Sequence, residues 1–172
     1  GRIVSTMGVI DGPRLAPRSG KPARELVVFL HGYGADGNDL IEIGRAWQTL
    51  LPDAAFVAPH APEPCSQSPV GRQWFELTFR DPDERWRGVN AAAPALDRFL
   101  EQELERCRLG PSDLVLVGFS QGTMLALHVG LRRPVPCVAI VGYSGLLVLP
   151  PDANPGEKAI EIKSRPPVLL IH

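Results

Sequence analysis

The chain of 172 residues is short of the features that mark specialised protein classes. Its three cysteines, Cys65, Cys107 and Cys137, are odd in number, far apart and never in Cys-x-x-Cys, so neither a disulfide framework nor a zinc site is indicated. They read as buried or incidental thiols, and a reducing cytoplasm is the expected compartment. No apolar run approaches the roughly 20 residues of a membrane span, and residues 1–16 lack the apolar centre of a secretory signal. Neither sign of charge is in excess: a net charge of -1 provides no broad positive field to draw the chain onto nucleic acid or anionic lipid. There is no internal repeat and no low-complexity block.

What is present is ordinary globular material, 44% hydrophobic and 22% charged, enough for one domain with its own core. The 18 prolines and 17 glycines exceed average usage but are dispersed between apolar runs, as suits loops joining many short elements. Five runs, 26–31, 54–59, 114–119, 137–142 and 167–172, are nearly continuously apolar and rich in β-formers. Strands with one wet face alternate, so unbroken runs predict strands covered on both faces.

Helices are predicted between them. In 89–109, Val89, Ala92, Ala93, Leu96, Phe99, Leu100, Leu104 and Cys107 recur at helical spacing, with Glu101, Glu103, Glu105 and Arg106 on the wet face. Residues 39–50 and 121–131 are two further helical segments. Alternating strands and helices imply right-handed crossovers and a mostly parallel sheet with helices on both faces. Residues 61–88, with Pro62, Pro64, Pro69 and Pro82 and no clean period, read as a long loop or cap, a kind of segment that is more often functional than decorative.

The junction between the third apolar run and the helix that follows it carries chemistry. Leu114-Val115-Leu116-Val117 runs into Gly118-Phe119-Ser120-Gln121-Gly122 and then into the helix-compatible Thr123-Met124-Leu125-Ala126-Leu127-His128. In a Gly-x-Ser-x-Gly elbow the serine occupies a strained strand-to-helix turn, and the glycines are required because side chains there would strike neighbouring backbone. Ser120 is the candidate nucleophile. Ser144, in Gly142-Tyr143-Ser144-Gly145-Leu146, lacks the second glycine at the right spacing and reads as a loop residue.

After the first strand, Gly32 to Gly37 satisfies Gly-x-Gly-x-x-Gly, which raises a dinucleotide-binding reading. That fold wants an acidic residue at the end of the second strand, where this chain has Pro59-His60. The competing reading is an oxyanion loop, in which this segment lends one backbone N–H and the residue after the nucleophile lends another. It assigns Tyr33 and Gln121, and it is preferred because it also accounts for Ser120.

Together with Ala58-Pro59-His60-Ala61-Pro62 and the Trp74-Phe75 pair, these motifs resemble the phospholipase/carboxylesterase family of α/β-hydrolases, which includes bacterial carboxylesterases and acyl-protein thioesterases. Leu30-His31-Gly32-Tyr33-Gly34 matches the family's oxyanion segment and Gly118 to Gly122 its elbow, and the likeness extends from about Leu26 to His172. The resemblance implies an α/β-hydrolase domain over 1–172. It implies a serine carboxylesterase acting on short to medium acyl esters, thioesters or lysophospholipids, without a metal or organic cofactor and often as a homodimer. It also implies that Trp74 and Phe75 flank the acyl pocket. From the residues alone the pair serves equally well as core beneath a loop.

The family orders its triad Ser, Asp, His along the chain. The strand at 167–172 is the one its aspartate follows, so the acid and base are expected beyond residue 172 and the sequence reads as a piece of a longer protein. His31 belongs to the oxyanion segment, His60 to a proline-rich loop, His128 to the helix after the elbow and His172 to the last strand; none is placed as the base. Asp152 is conceivable as an acid but is off the family pattern and reads as a solvated carboxylate. An alternative from another class is a non-catalytic α/β-hydrolase-like binding module that keeps the elbow only as a turn.

Overall fold

The computed structural model describes residues 9–151 and 161–172. Asp152 lies outside the described residues. Six strands form one sheet in the order β1-β3-β2-β6-β7-β8. They are β1 (Arg14–Leu15), β2 (Glu25–Leu30), β3 (Ala54–Val57), β6 (Leu114–Phe119), β7 (Ala139–Tyr143) and β8 (Val168–Ile171). All neighbours are parallel except β1, which runs antiparallel to β3. A two-stranded hairpin, β4 (Glu63–Pro64) with β5 (Arg72–Gln73), stands apart.

The unbroken apolar runs are strands with both faces covered, as expected. Along β2, Leu26, Val28 and Leu30 face one core with Leu114, Leu116 and Ile140. Val27 and Phe29 face a second core with Ala54, Phe56, Ala58 and Val117. The first core is closed by α2 (Glu84–Arg106) and α3 (Gln121–Gly130), through Val89, Leu96, Phe99, Leu100, Leu104 and Leu125. The second is closed by α1 (Gly37–Trp47) through Leu40, Ile41 and Trp47. Each fully buried aliphatic or aromatic side chain contributes about 1.5–3 kcal/mol of transfer free energy, so β2 alone anchors both layers.

Helix α2 differs from the expected 89–109 at both ends. It begins earlier because the Glu84 carboxylate, largely buried, accepts from the N–H groups of Thr78 (2.8 Å) and Phe79 (2.7 Å) and from Thr78 Oγ1 (2.9 Å), which ties the incoming loop to the first turn. It ends earlier because Arg108 turns into the left-handed region (φ 58°). The N–H of Leu109 then reaches back to Leu104 O at 2.8 Å, closing the helix as a C-cap glycine usually would. Strand β8 is the other edge of the sheet, and its four apolar residues are 38–56% exposed.

Residues 61–88 do not form one loose loop. The β4-β5 hairpin is bridged to the β2-α1 loop by Gly34 N–H to Arg72 O (2.9 Å) and Arg72 N–H to Ala35 O (2.8 Å). The Arg72 guanidinium donates to Ala61 O (2.9 Å) and Pro62 O (2.8 Å), bracing the hairpin from within. Further on, Gly88 lets Phe75 seat directly on α2: a Cβ at Gly88 would lie 2.3 Å from the Phe75 ring.

Candidate active site

Ser120 stands where β6 gives way to α3, at the carboxyl ends of the parallel strands, where such folds place their ligands. Its backbone is at φ 55°, ψ -110°, a conformation costly for any residue with a Cβ, and the side chain is exposed. The turn is held by Ser120 N–H to Tyr143 O (2.8 Å) and by Ser120 O, which accepts from Thr123 N–H (3.0 Å) and Met124 N–H (3.2 Å). The two elbow glycines are explained by close approach. A Cβ on Gly118 would lie 2.5 Å from Thr123 Cα, and one on Gly122 would lie 2.0 Å from Leu30 O. Both would force β6, α3 and β2 apart.

The β2-α1 loop meets this turn at Gly32, where an added Cβ would lie 3.4 Å from Ser120 Cβ and 3.1 Å from Phe119 O. Tyr33 follows, and among the described residues its N–H has no acceptor. Gln121 opens α3, where first-turn N–H groups have no intrahelical partner. Ser120, Tyr33 and Gln121 are therefore brought to one locus. The Tyr33 side chain points elsewhere: its hydroxyl lies 3.0 Å from Ser66 Oγ and donates to Glu76 Oε1 at 3.3 Å. Burial pushes the Tyr33 hydroxyl pKa up, and the Ser66 hydrogen bond lowers that of Glu76, so the pair is phenol to carboxylate.

Gln121 has a second attachment that its position in the motif does not reveal. Its side chain is fully buried; Oε1 accepts from Trp74 N–H (2.8 Å) and Nε2 donates to Phe75 O (2.8 Å). Trp74 and Phe75 are themselves 3% and 4% exposed, inside the first core. They line a cavity of about 420 Å³ between α2 and the hairpin segment, and none of Ser120, Tyr33 or Gln121 lines it. The Trp74 indole N–H donates to His31 O at 2.9 Å.

The four histidines sit apart from Ser120. His31 is fully buried; its Nε2 accepts from Ala61 N–H (2.9 Å), and burial lowers its pKa, keeping it neutral. His60 Nδ1 accepts from Gly37 N–H at 3.1 Å. His128 lies near the far end of α3, edge-on to Trp86 at 5.7 Å, and His172 ends the chain after β8. Among the described residues none of them hydrogen-bonds to Ser120. Ser144 also has a positive φ (57°), but its N–H donates to Ile171 O (2.7 Å) and it lies in the turn after β7.

The dinucleotide reading of Gly32 to Gly37 fails on local detail. Asp36 caps α1, accepting from Asn38 N–H at 2.9 Å, so a carboxylate and His60 occupy the helix N-terminus where a pyrophosphate would have to bind. Gly37 is needed for packing, since a Cβ there would lie 1.9 Å from Ala58 O. Among the described residues no three His, Cys, Asp or Glu side chains converge as metal ligands would.

This architecture, a mostly parallel sheet with a strained serine elbow beside a glycine loop, is that of an α/β-hydrolase. Residues 16–172 match the phospholipase/carboxylesterase family model, and the chain belongs to that family. It is 31% identical over 125 residues to the esterase YpfH of Escherichia coli (strain K12), covering 73% of this chain and 53% of that protein. It is 27% identical over 165 residues to acyl-protein thioesterase 1 of Saccharomyces cerevisiae, covering 90% of this chain and 72% of that one. The crystal structure of esterase PE8 superposes with a TM-score of 0.87 at 48% identity, over 95% of this chain and 74% of that chain. The chain thus spans about half the length of the E. coli esterase.

Proposed function

We propose that the protein carrying this domain is a serine carboxylic-ester hydrolase with Ser120 as nucleophile, acting on short to medium acyl esters, thioesters or lysophospholipids. The observation that carries the reading is the turn at Ser120: an exposed serine in a strained left-handed conformation, facing a glycine loop and opening a helix. Strain of this kind is retained where function requires it. The names of its relatives, esterase and acyl-protein thioesterase, support the same reaction class.

In this mechanism the Ser120 hydroxyl gives its proton to a histidine base and its oxygen attacks the acyl carbon. The carbonyl becomes an oxyanion held by the Tyr33 and Gln121 N–H groups, a contribution of roughly 3 kcal/mol per donor. Collapse expels the alcohol or thiol, which takes the proton; water then enters by the reverse sequence and releases the acid. The base and its acid partner are those that the family order puts after residue 172. Trp74 and Phe75, tied to the elbow by the Gln121 side chain, flank the acyl pocket in this reading. The unpaired thiols, Cys65 and Cys137 buried and Cys107 partly so, fit a reducing cytoplasm, and a homodimer fits the family habit.

The test uses the complete protein. A fluorophosphonate probe should label Ser120, and Ser120→Ala should abolish both labelling and hydrolysis of nitrophenyl esters. Full esterase activity in Ser120→Ala would refute the assignment.

A further inference from the structure

Three side chains outside the reacting atoms tie the two proposed oxyanion donors to each other. The first is His31. Because its Nε2 accepts from Ala61 N–H, the ring proton is on Nδ1, which lies 2.8 Å from Gly32 O and therefore donates to it. Gly32 C=O and Tyr33 N–H belong to one peptide group. That group is planar and trans, as all peptide bonds of the described residues are, so its N–H points opposite to its carbonyl. Pinning the carbonyl with the imidazole aims the Tyr33 N–H the other way.

The second is Trp74, whose indole N–H holds the preceding carbonyl, His31 O, at 2.9 Å. Two successive peptide planes are thereby fixed. The third is Gln121: its side-chain amide receives Trp74 N–H at 2.8 Å and donates to Phe75 O at 2.8 Å, while its own backbone N–H is the other proposed donor. The path from one donor to the other is thus Tyr33 peptide, His31, Trp74, Gln121. The linking groups are buried and lie within 2.9 Å of their partners, and their hydrogen bonds exclude water's competition.

We propose that His31, Trp74 and the side chain of Gln121 form a brace that sets the spacing and aim of the two oxyanion donors, and so act as positioning residues. The inference rests on the serine-hydrolase reading above. A donor that must wait for a peptide to rotate is a weak one, because preorganisation is what such holes contribute. The brace does not touch the acyl group, so its loss should fall on the chemical step and spare binding.

The experiment has two arms on the complete protein. In the first, Trp74→Phe and Gln121→Met remove the hydrogen bonds while keeping bulk, and hydrolysis of a nitrophenyl ester is followed. Each should lower kcat by roughly 10- to 100-fold with KM within about twofold. The double variant should lose little more than either alone, since both cut one path. His31→Asn, whose amide can still donate to Gly32 O, should keep more kcat than His31→Leu. Folded variants with wild-type kcat, or losses appearing wholly in KM, overturn the brace. Absence of hydrolysis by the wild-type protein sinks the hydrolase reading instead. The second arm does not depend on activity. The ring 15N shifts of His31 should show the proton on Nδ1, and the Tyr33 amide resonance should move in Trp74→Phe; a proton on Nε2 overturns the proposal.

Discussion

Acidification should destabilise this domain through its buried histidines, and the contribution of His128 can be isolated. His128 is 2% exposed near the end of α3, beside Arg132 and edge-on to Trp86, and its Nδ1 has no hydrogen-bond partner among the described residues. Burial, reinforced by the Arg132 charge and opposed by Glu161, lowers its pKa from 6.5 to about 4. The unfolded chain therefore takes up this proton near pH 6.5 and the folded chain only near pH 4. Between those values the unfolded state binds more protons, so stability falls as pH falls. The full span corresponds to about 3 kcal/mol, of which about 2 kcal/mol is gone by pH 5. The assay is urea unfolding followed by tryptophan fluorescence at pH 7.5 and pH 5, for the wild type and His128→Leu. His31 titrates in the same direction and is common to both, so the difference isolates His128. The leucine variant should lose about 2 kcal/mol less on acidification, and at pH 7.5 it should be no less stable, because the unpartnered nitrogen already costs free energy. Equal acid sensitivity in the two proteins would refute this account.

Ser120→Gly should raise stability by about 1 kcal/mol in thermal or urea unfolding, since glycine occupies φ 55° without strain. The same variant should have no esterase activity; a loss of stability would show that the turn is unstrained. Gly122→Ala should cost about 2–3 kcal/mol and abolish activity, because its methyl would lie 2.0 Å from Leu30 O and neither backbone can yield cheaply. Glu103 is 2% exposed and accepts from Arg14 Nε (3.0 Å) and Nη2 (2.6 Å), joining β1 to α2. Glu103→Ala should cost about 1–2 kcal/mol in urea unfolding, by removing the two charge-assisted hydrogen bonds while Arg14 keeps its pair with Asp11 at 2.7 Å, and Arg14→Ala should cost about as much, since Glu103 keeps Arg106 at 3.4 Å.

The features that were legible in the sequence are those with a local signature. Continuous apolar runs announced the parallel strands, and Gly-Phe-Ser-Gln-Gly announced the elbow, because in both cases neighbouring residues carry the pattern. The two-residue strands β1, β4 and β5 were not legible, being too short to show a period. Nor was the start of α2, where Glu84, Arg85 and Arg87 interrupt the apolar period and hide a turn that Glu84 secures through the backbone of Thr78 and Phe79. The same reason concealed the Gln121 side chain: its partners are backbone atoms 46 and 47 residues away, and backbone atoms leave no mark in a sequence. Trp74 and Phe75 stood equally well as pocket or core, and both are buried in the first core while also lining the cavity beside α2.

The glycines around the nucleophile have a consequence for how this family can diversify. Gly32, Gly122 and Gly145 each bring main chain to within contact of the elbow: Gly145, at φ 88°, would place a Cβ 2.6 Å from Ser120 O. Main chain at Gly32 and Gly145 thus closes directly on Ser120, while Gly122 seats the turn against Leu30, and none of the three can gain a side chain without disturbing the turn. The hairpin and loop of residues 61–79 are joined to the elbow through the Gln121 side chain and not through shared strands, so substitutions there can leave the turn in place. On the hydrolase proposal, the reaction and its selectivity fall to different parts of the chain, and the second can drift while the first is held constant.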